Sequence, residues 1–237
     1  MHSELRMVPF VLMYHSVACR DADPNMVTIS PARFAHQMRW LQRRRLRGTS
    51  MRQLLEAADR GSTAGLVGLT FDDGYADFTT HVAPVLAEHG FTATAFVVAG
   101  KLGGHNDWDE GPRKALMTAE EIREAAGLGV EIGSHGLDHR ALADAGADLV
   151  GLEVEHSRMI LEALLDAPVR GFCYPYGALS DSAATAAQAA GYDYAVATWQ
   201  QARRDRYAMP RTYVSERDGA PRLYAKQVRH RLRWGRP

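Results

Sequence analysis

Short apolar runs alternate along this chain with longer stretches whose apolar residues recur at helical spacing. "FVLMY" (10–14), "LVGLTF" (66–71), "TATAFVV" (92–98), "VEIGS" (130–134), "GFCYP" (171–175), "YAVAT" (194–198) and "RTYV" (211–214) have the length and composition of buried strands. Between the first two, "SPARFAHQMRWLQRRRLRG" carries Phe34, Met38 and Leu41 on one face. Ser30 is its expected N-cap, Pro31 its first helical residue and Gly48 its stop. Pro84 opens a short helix that ends by Gly90. Thr118 with Glu121 forms a capping box for a helix that closes at Gly127. A helix over 148–165 is expected to bury Leu149, Leu152, His156, Met159 and Ile160, and another over 180–191 is capped at both ends. Strands alternating with helices predict a parallel sheet with helices outside.

Length alone, 237 residues, fits one α/β barrel or two small domains. The chain has no repeat, low-complexity segment or interior linker, so a single domain over 1–237 is expected. A hydrophobic share of 46% with 24% charged residues is that of an ordinary soluble globular protein. A net charge of +0 gives no global field toward nucleic acid or membrane, and no run is long enough for a membrane span. The basic runs "RRRLR" (43–47) and "RHRLR" (229–233) read as solvated helix faces, with a surface for an anionic partner as the alternative. Cys19 and Cys173 make neither a disulfide framework nor a CxxC motif. The stretch "MHSELRMVPFVLMYH" reads as a first strand rather than a signal peptide, so a cytoplasmic location is expected unless a leader has been removed. Oligomeric state is not legible.

The strand ends change the picture, because parallel α/β folds place their chemistry at the carboxyl ends of strands. Asp72 and Asp73 follow "LTF", His135 and His139 follow "VEIGS", Pro175-Tyr176-Gly177 follows "GFCY", and His15 follows "FVLMY". Asp-Asp-Gly alone is good turn chemistry. Two histidines four apart on one helical turn point the same way, and one carboxylate completes a His₂Asp set for a divalent metal. The second carboxylate is then free to act as a base. Zinc fits this donor set, and cobalt, nickel or iron fit it too.

"TFDDGY", "SHGLDH" and "FCYPYG" resemble the first three motifs of the polysaccharide deacetylases, carbohydrate esterase family four, with the NodB homology domain. The "YH" strand and "FxYPYG" are closest to the subgroup of poly-N-acetylglucosamine deacetylases. Where the family pattern has Ser or Thr after the first histidine, this chain has Gly136. The resemblance implies a distorted (β/α) barrel of about seven strands. It implies Asp73, His135 and His139 as metal ligands, Asp72 as general base, and the Tyr176 N–H as an oxyanion donor. It implies an N-acetylated saccharide as substrate.

Two family residues are missing, and the chain offers replacements. Many members have an arginine two residues before the proline of the third motif, where this chain has Cys173; Arg211, at a late strand, is the candidate to pair with Asp72. The C-terminal histidine that serves as acid in the family has no counterpart at a strand end, so His15 is the candidate acid. In "GGHNDWDEGP" (103–112), Trp108, Asn106 and Asp109 are candidate sugar contacts, Trp108 by stacking. His156 reads as a core or boundary residue, and His36, His81, His89 and His230 as surface residues. Three functions fit: sugar N-deacetylation, hydrolysis of another amide such as a formamido sugar or cyclic ureide, and saccharide binding by an inactive barrel. The intact Asp72, Asp73, His135 and His139 argue against the last.

Overall fold

A period of two runs through the strands, and it decides what faces the barrel's interior. In β1 (Val11–Tyr14) Leu12 and Tyr14 join the apolar layer under the helices, while Val11 joins a second, inner cluster. The computed structural model describes residues 8–19, 23–199 and 202–235. The first residues of the N-terminal stretch, 1–7, lie outside these.

The order of elements after β1 is β2 (Ser16–Val17), β3 (Thr28–Ile29), α1 (Pro31–Arg43), β4 (Arg47–Thr49), α2 (Met51–Asp59), β5 (Leu66–Phe71), α3 (Ala83–His89), β6 (Thr94–Val97) and α4 (Ala119–Gly127). Then come β7 (Glu131–Ser134), α5 (Ala147–Gly151), α6 (Ser157–Leu165), β8 (Gly171–Cys173), α7 (Asp181–Ala189), β9 (Tyr194–Thr198), β10 (Met209–Tyr213) and α8 (Ala220–Trp234). All strand pairs are parallel, in the order β1-β10-β9-β8-β7-β6-β5, and β1 pairs β5 to close a barrel of seven strands. β4 runs beside the start of β5. β2 and β3 form a separate parallel pair.

The barrel carries helices outside and a plug below. Val67, Leu69, Ala95, Val97, Phe172 and Ala195 face the helices. Phe96, Cys173, Tyr194, Val196 and Met209 fill the interior, and Met51, Leu54 and Leu55 of α2 close its floor. A side chain at Gly68 would stand 2.9 Å from Leu54 Cδ2, so glycine is what lets α2 seat.

Three expectations change. Gly48 does not stop α1, which ends at Arg43 with Arg45 taking the left-handed turn at φ 56°. It lies in β4, where a Cβ would meet Leu69 Cδ1 at 2.4 Å. The helix over 148–165 forms as α5 and α6, joined by a π-helical turn (Leu152–His156), but it buries the other face. Val150, Glu153, Val154, Ser157 and Leu161 point inward, while Leu149, Leu152, His156, Met159 and Ile160 are exposed. His230 is not a surface residue: α8 buries it under Phe10 and Trp199, with Nε2 3.1 Å from the Val8 carbonyl. Among the described residues no helix is long and apolar enough to cross a membrane.

Candidate active site

The alternation of β5 carries past its end. Gly68 and Thr70 face inward, and so does Asp72, whose N–H is held by the Tyr14 carbonyl of β1 at 3.0 Å. The chain then turns sharply. Asp73 sits at φ 71° and Gly74 at φ 74°, and a Cβ on Gly74 would lie 2.9 Å from Val97 Cγ1. The turn sends the two carboxylates to different places.

Asp73 Oδ1 lies 3.3 Å from His135 Nε2 and 3.3 Å from His139 Nε2. The three ligand atoms are buried and lie within 4.8 Å of one another. His135 Nδ1 is 2.8 Å from the Cys173 carbonyl, which can only accept, so Nδ1 carries a proton and Nε2 is the ring atom left to a metal. His139 Nε2 reaches the same point by a different route. Residues 135–140 are not helical, and His139 itself is at φ 60°. The two rings therefore meet Asp73 through a strained loop, not through a helical turn.

This donor set fits a divalent cation. Burial would raise Asp73, but hydrogen bonds from His135 and His139 hold it well below the ordinary carboxylate value, so it is anionic. Burial, aided by the charge of His135, keeps His139 below the ordinary imidazole value and thus neutral. Burial would also lower His135, but Cys173 and Asp73 beside it outweigh this and raise it in the ion-free protein. A cation bound at Nε2 would take the place of that proton. One hard oxygen and two imidazoles leave room for a further ligand, as catalytic sites require.

Asp72 faces the barrel axis and meets Arg211. Arg211 follows Met209 inward along β10 and is 1% exposed, beneath the mouth. Its Nη1 donates to Asp72 Oδ1 at 2.5 Å and its Nη2 to Asp72 Oδ2 at 2.7 Å, a bidentate pair. Nη1 also reaches Thr70 Oγ1 at 3.1 Å and Nη2 the Cys173 sulfur at 3.0 Å. The small Cys173 thus leaves space for a guanidinium that arrives from another strand. Burial would raise Asp72, but Arg211 outweighs it and holds the carboxyl below its ordinary value.

Both carboxylates line a cavity of about 140 Å³ together with His15, Tyr75, Asn106, Trp108, Asp109 and Tyr176. His15 Nε2 stands 3.9 Å from Asp72 Oδ2. Tyr176 is at φ 58° inside the turn Pro175–Gly177, and among the described residues its N–H has no hydrogen-bond partner. Trp108 lines the cavity but stacks on His139, with centroids 4.4 Å apart and planes at 24°. One of its faces is therefore taken up by His139 rather than left for a sugar. Asn106 is tied into its own loop: its Oδ1 accepts the Lys114 N–H at 2.6 Å. Asp109 accepts the Tyr176 hydroxyl at 3.1 Å and links that loop to the Pro175–Gly177 turn.

Sequence reasoning passed over Glu153 and Tyr75. Tyr75 lines the cavity, and Asp73 beside it helps burial push its hydroxyl upward. Glu153 is 1% exposed and receives the Leu137 N–H at 2.8 Å and the Asp138 N–H at 3.1 Å. Val150, Glu153, Val154, Ser157 and Leu161 share one helical face, but the opposite face with Leu149, Leu152, Met159 and Ile160 is more apolar, so periodicity did not single Glu153 out.

Comparison with known proteins identifies the family. The polysaccharide deacetylase family model matches residues 59–195. The YxkH protein of Bacillus subtilis (strain 168) is 30% identical over 210 residues, covering 86% of this chain and 71% of its own. The chitooligosaccharide deacetylase of Sinorhizobium fredii is 35% identical over 133 residues, covering 55% of this chain and 56% of its own. The Streptococcus pyogenes deacetylase PplD, solved with acetate, superposes with a TM-score of 0.79 at 21% identity, over 93% of this chain and 98% of its own. IcaB from Ammonifex degensii does so with 0.78 at 24%, over 93% and 97%. These two share the fold. With its closed seven-stranded barrel and its matched motifs, the chain belongs to the polysaccharide deacetylase family.

Proposed function

We propose that this chain hydrolyses the acetamide of an N-acetylated sugar, releasing acetate, with Asp73, His135 and His139 holding one divalent ion, most suitably zinc. The observation that carries the reading is the division of labour between adjacent aspartates: Asp73 with two imidazoles, Asp72 clamped by Arg211. An ion held there supplies a Lewis acid and makes attack by water feasible near neutral pH. Asp72, ionised beside Arg211, accepts the proton of the attacking water. Arg211 fixes both its oxygens and keeps it from turning toward the ligand triad. The Tyr176 N–H donates to the oxyanion that forms on the carbonyl carbon, an interaction worth about 3–4 kcal/mol in other hydrolases. His15, across from Asp72, hands a proton to the departing amine nitrogen, and acetate and the free amino sugar result.

Family membership and the deacetylase relatives support the reaction class. The test is to incubate the protein with N-acetylated and N-formylated glucosamine oligomers and to assay acetate and formate. Acetate release that a chelator stops, and that Asp72→Asn removes, is the expected result. Formate release alone assigns the site to another amide. No release from any sugar, with metal bound, overturns the reading.

A further inference from the structure

His135 and His139 hold the same carboxylate through Nε2, yet only His135 has a hydrogen bond at Nδ1 that fixes the rotation of its ring. His135 has the Cys173 carbonyl at Nδ1. His139 Nδ1 is buried and has no partner among the described residues. Its ring is flanked by Trp108 and by Tyr176, contacts that limit tilt but carry no directional bond. Its backbone is in the left-handed region and outside any helix or strand. Something else must fix where His139 stands.

The segment 136–138 shows what does. Glu153, from the inner face of the π-helical turn, aims its carboxylate at the segment and takes two successive N–H groups. The Leu137 N–H lies 2.8 Å from Oε2, and the Asp138 N–H lies 3.1 Å from Oε2 and 3.2 Å from Oε1. One turn later on the same face, Ser157 hydrogen-bonds Ser134 Oγ at 2.7 Å, and Ser134 Oγ accepts the Gly136 N–H at 3.1 Å. The other side of the segment is tied to the residues after β6, where the Ala99 and Gly100 N–H groups donate to the Gly136 and Leu137 carbonyls at 2.9 and 2.8 Å. Gly136 itself is shaped by Glu153. It stands at φ 82°, and a Cβ there would lie 2.6 Å from Glu153 Oε2. The glycine that replaces the family's Ser or Thr is the space this carboxylate occupies.

We infer that Glu153 is the positioning residue for His139: a buried carboxylate that holds the 136–138 backbone and thereby sets the third metal ligand. The inference rests on the metal-site reading above. Glu153 is outside the Asp73, His135 and His139 donor set and acts through the loop. Extra residues in helices of the π type recur where a helix serves a site, and this one brings Glu153 and Ser157 to a single loop. Partners that orient ligands typically change metal affinity by about 10–100-fold when altered.

The test is metal affinity of the ion-free protein, measured by competition with a chromophoric chelator for Zn²⁺ and Co²⁺. Glu153→Gln is nearly isosteric and turns an amide toward the N–H groups. It is expected to weaken binding about 10–100-fold while far-UV circular dichroism stays unchanged. Val154→Ala, on the same buried face, is the control: it should lower the Tm and leave the affinity within twofold. If Glu153→Gln does not fold, Glu153→Asp, which keeps the charge and withdraws it by one methylene, is read instead with the same expected loss. An affinity within twofold of the parent in the readable variant overturns the inference, and so does an equal loss in Val154→Ala. A parent that binds neither ion overturns the metal reading, which the parent arm alone decides. A parent that binds metal without deacetylating sugars leaves the Glu153 result standing and overturns only the assigned reaction.

Discussion

The two ends of the barrel bury different chemistry. At the floor, Met51, Leu54 and Leu55 of α2 seal the interior against Phe96, Val196 and Met209. The buried polar groups there are shared out: Glu131 accepts from the Thr94 and Tyr194 hydroxyls, each at 2.8 Å. At the mouth, Asp72, Asp73, His135, His139 and Arg211 are all nearly inaccessible. Three non-glycine residues of this rim, Asp73, His139 and Tyr176, sit at φ 71°, 60° and 58°, in a region that L residues seldom occupy. Burying charge and holding such backbone both cost stability, and neither is needed to close a barrel. The floor shows what the fold requires; the mouth shows what the fold carries for another purpose.

The comparison breaks most visibly at Asp73. Asp73→Ala should remove metal and activity together, read by metal analysis and acetate release, while a floor variant such as Leu54→Ala leaves both unchanged. Retained metal in Asp73→Ala would show that the ligand set lies elsewhere. Asp72→Asn is expected to keep the metal and lower kcat by about 10²–10⁴-fold, the range for a lost acid or base. His15→Asn should lower kcat in the same range with metal content intact, and near-parental turnover would remove His15 from the proton path.

Stability separates the ends next. Arg211→Met leaves Asp72 buried without its partner and should cost about 3–5 kcal/mol in urea unfolding. Leu54→Ala, a pure cavity at the floor, should cost about 2–5 kcal/mol. The costs overlap, and pH tells them apart. Asp72 is held below its ordinary value of 3.8 in the folded state, so its pair with Arg211 contributes in full above that value and is lost as pH falls through the folded one. In Arg211→Met the burial that Arg211 offsets is left to raise Asp72, so the gap between parent and variant should widen as pH rises above about 4 and shrink below it, whereas the Leu54→Ala gap stays flat. A flat gap for both would mean that Arg211 acts by packing.

Much of this was legible in the chain. Strand-length apolar runs separated by capped helices determined a parallel α/β fold, and the residues just past those runs were the metal candidates. Period-two alternation also marks Arg211 as inward-facing once Met209–Tyr213 is known to be a strand. The structure alone decided three things. It turned the Arg211–Asp72 pairing, which the sequence offered only as a candidate, into a bidentate contact, because barrel closure through β1 sets β10 beside β1 and β1 beside β5. It replaced the expected helical turn under His135 and His139 with a strained loop. And it chose the inner face of 148–165 against the count of apolar residues, since Leu149, Leu152, Met159 and Ile160 are exposed where Glu153 and Ser157 are buried. Hydrophobic periodicity reads burial by transfer to an apolar core. It has no term for a polar side chain that is buried because a distant loop supplies its hydrogen bonds, and that loop exists only in the folded chain.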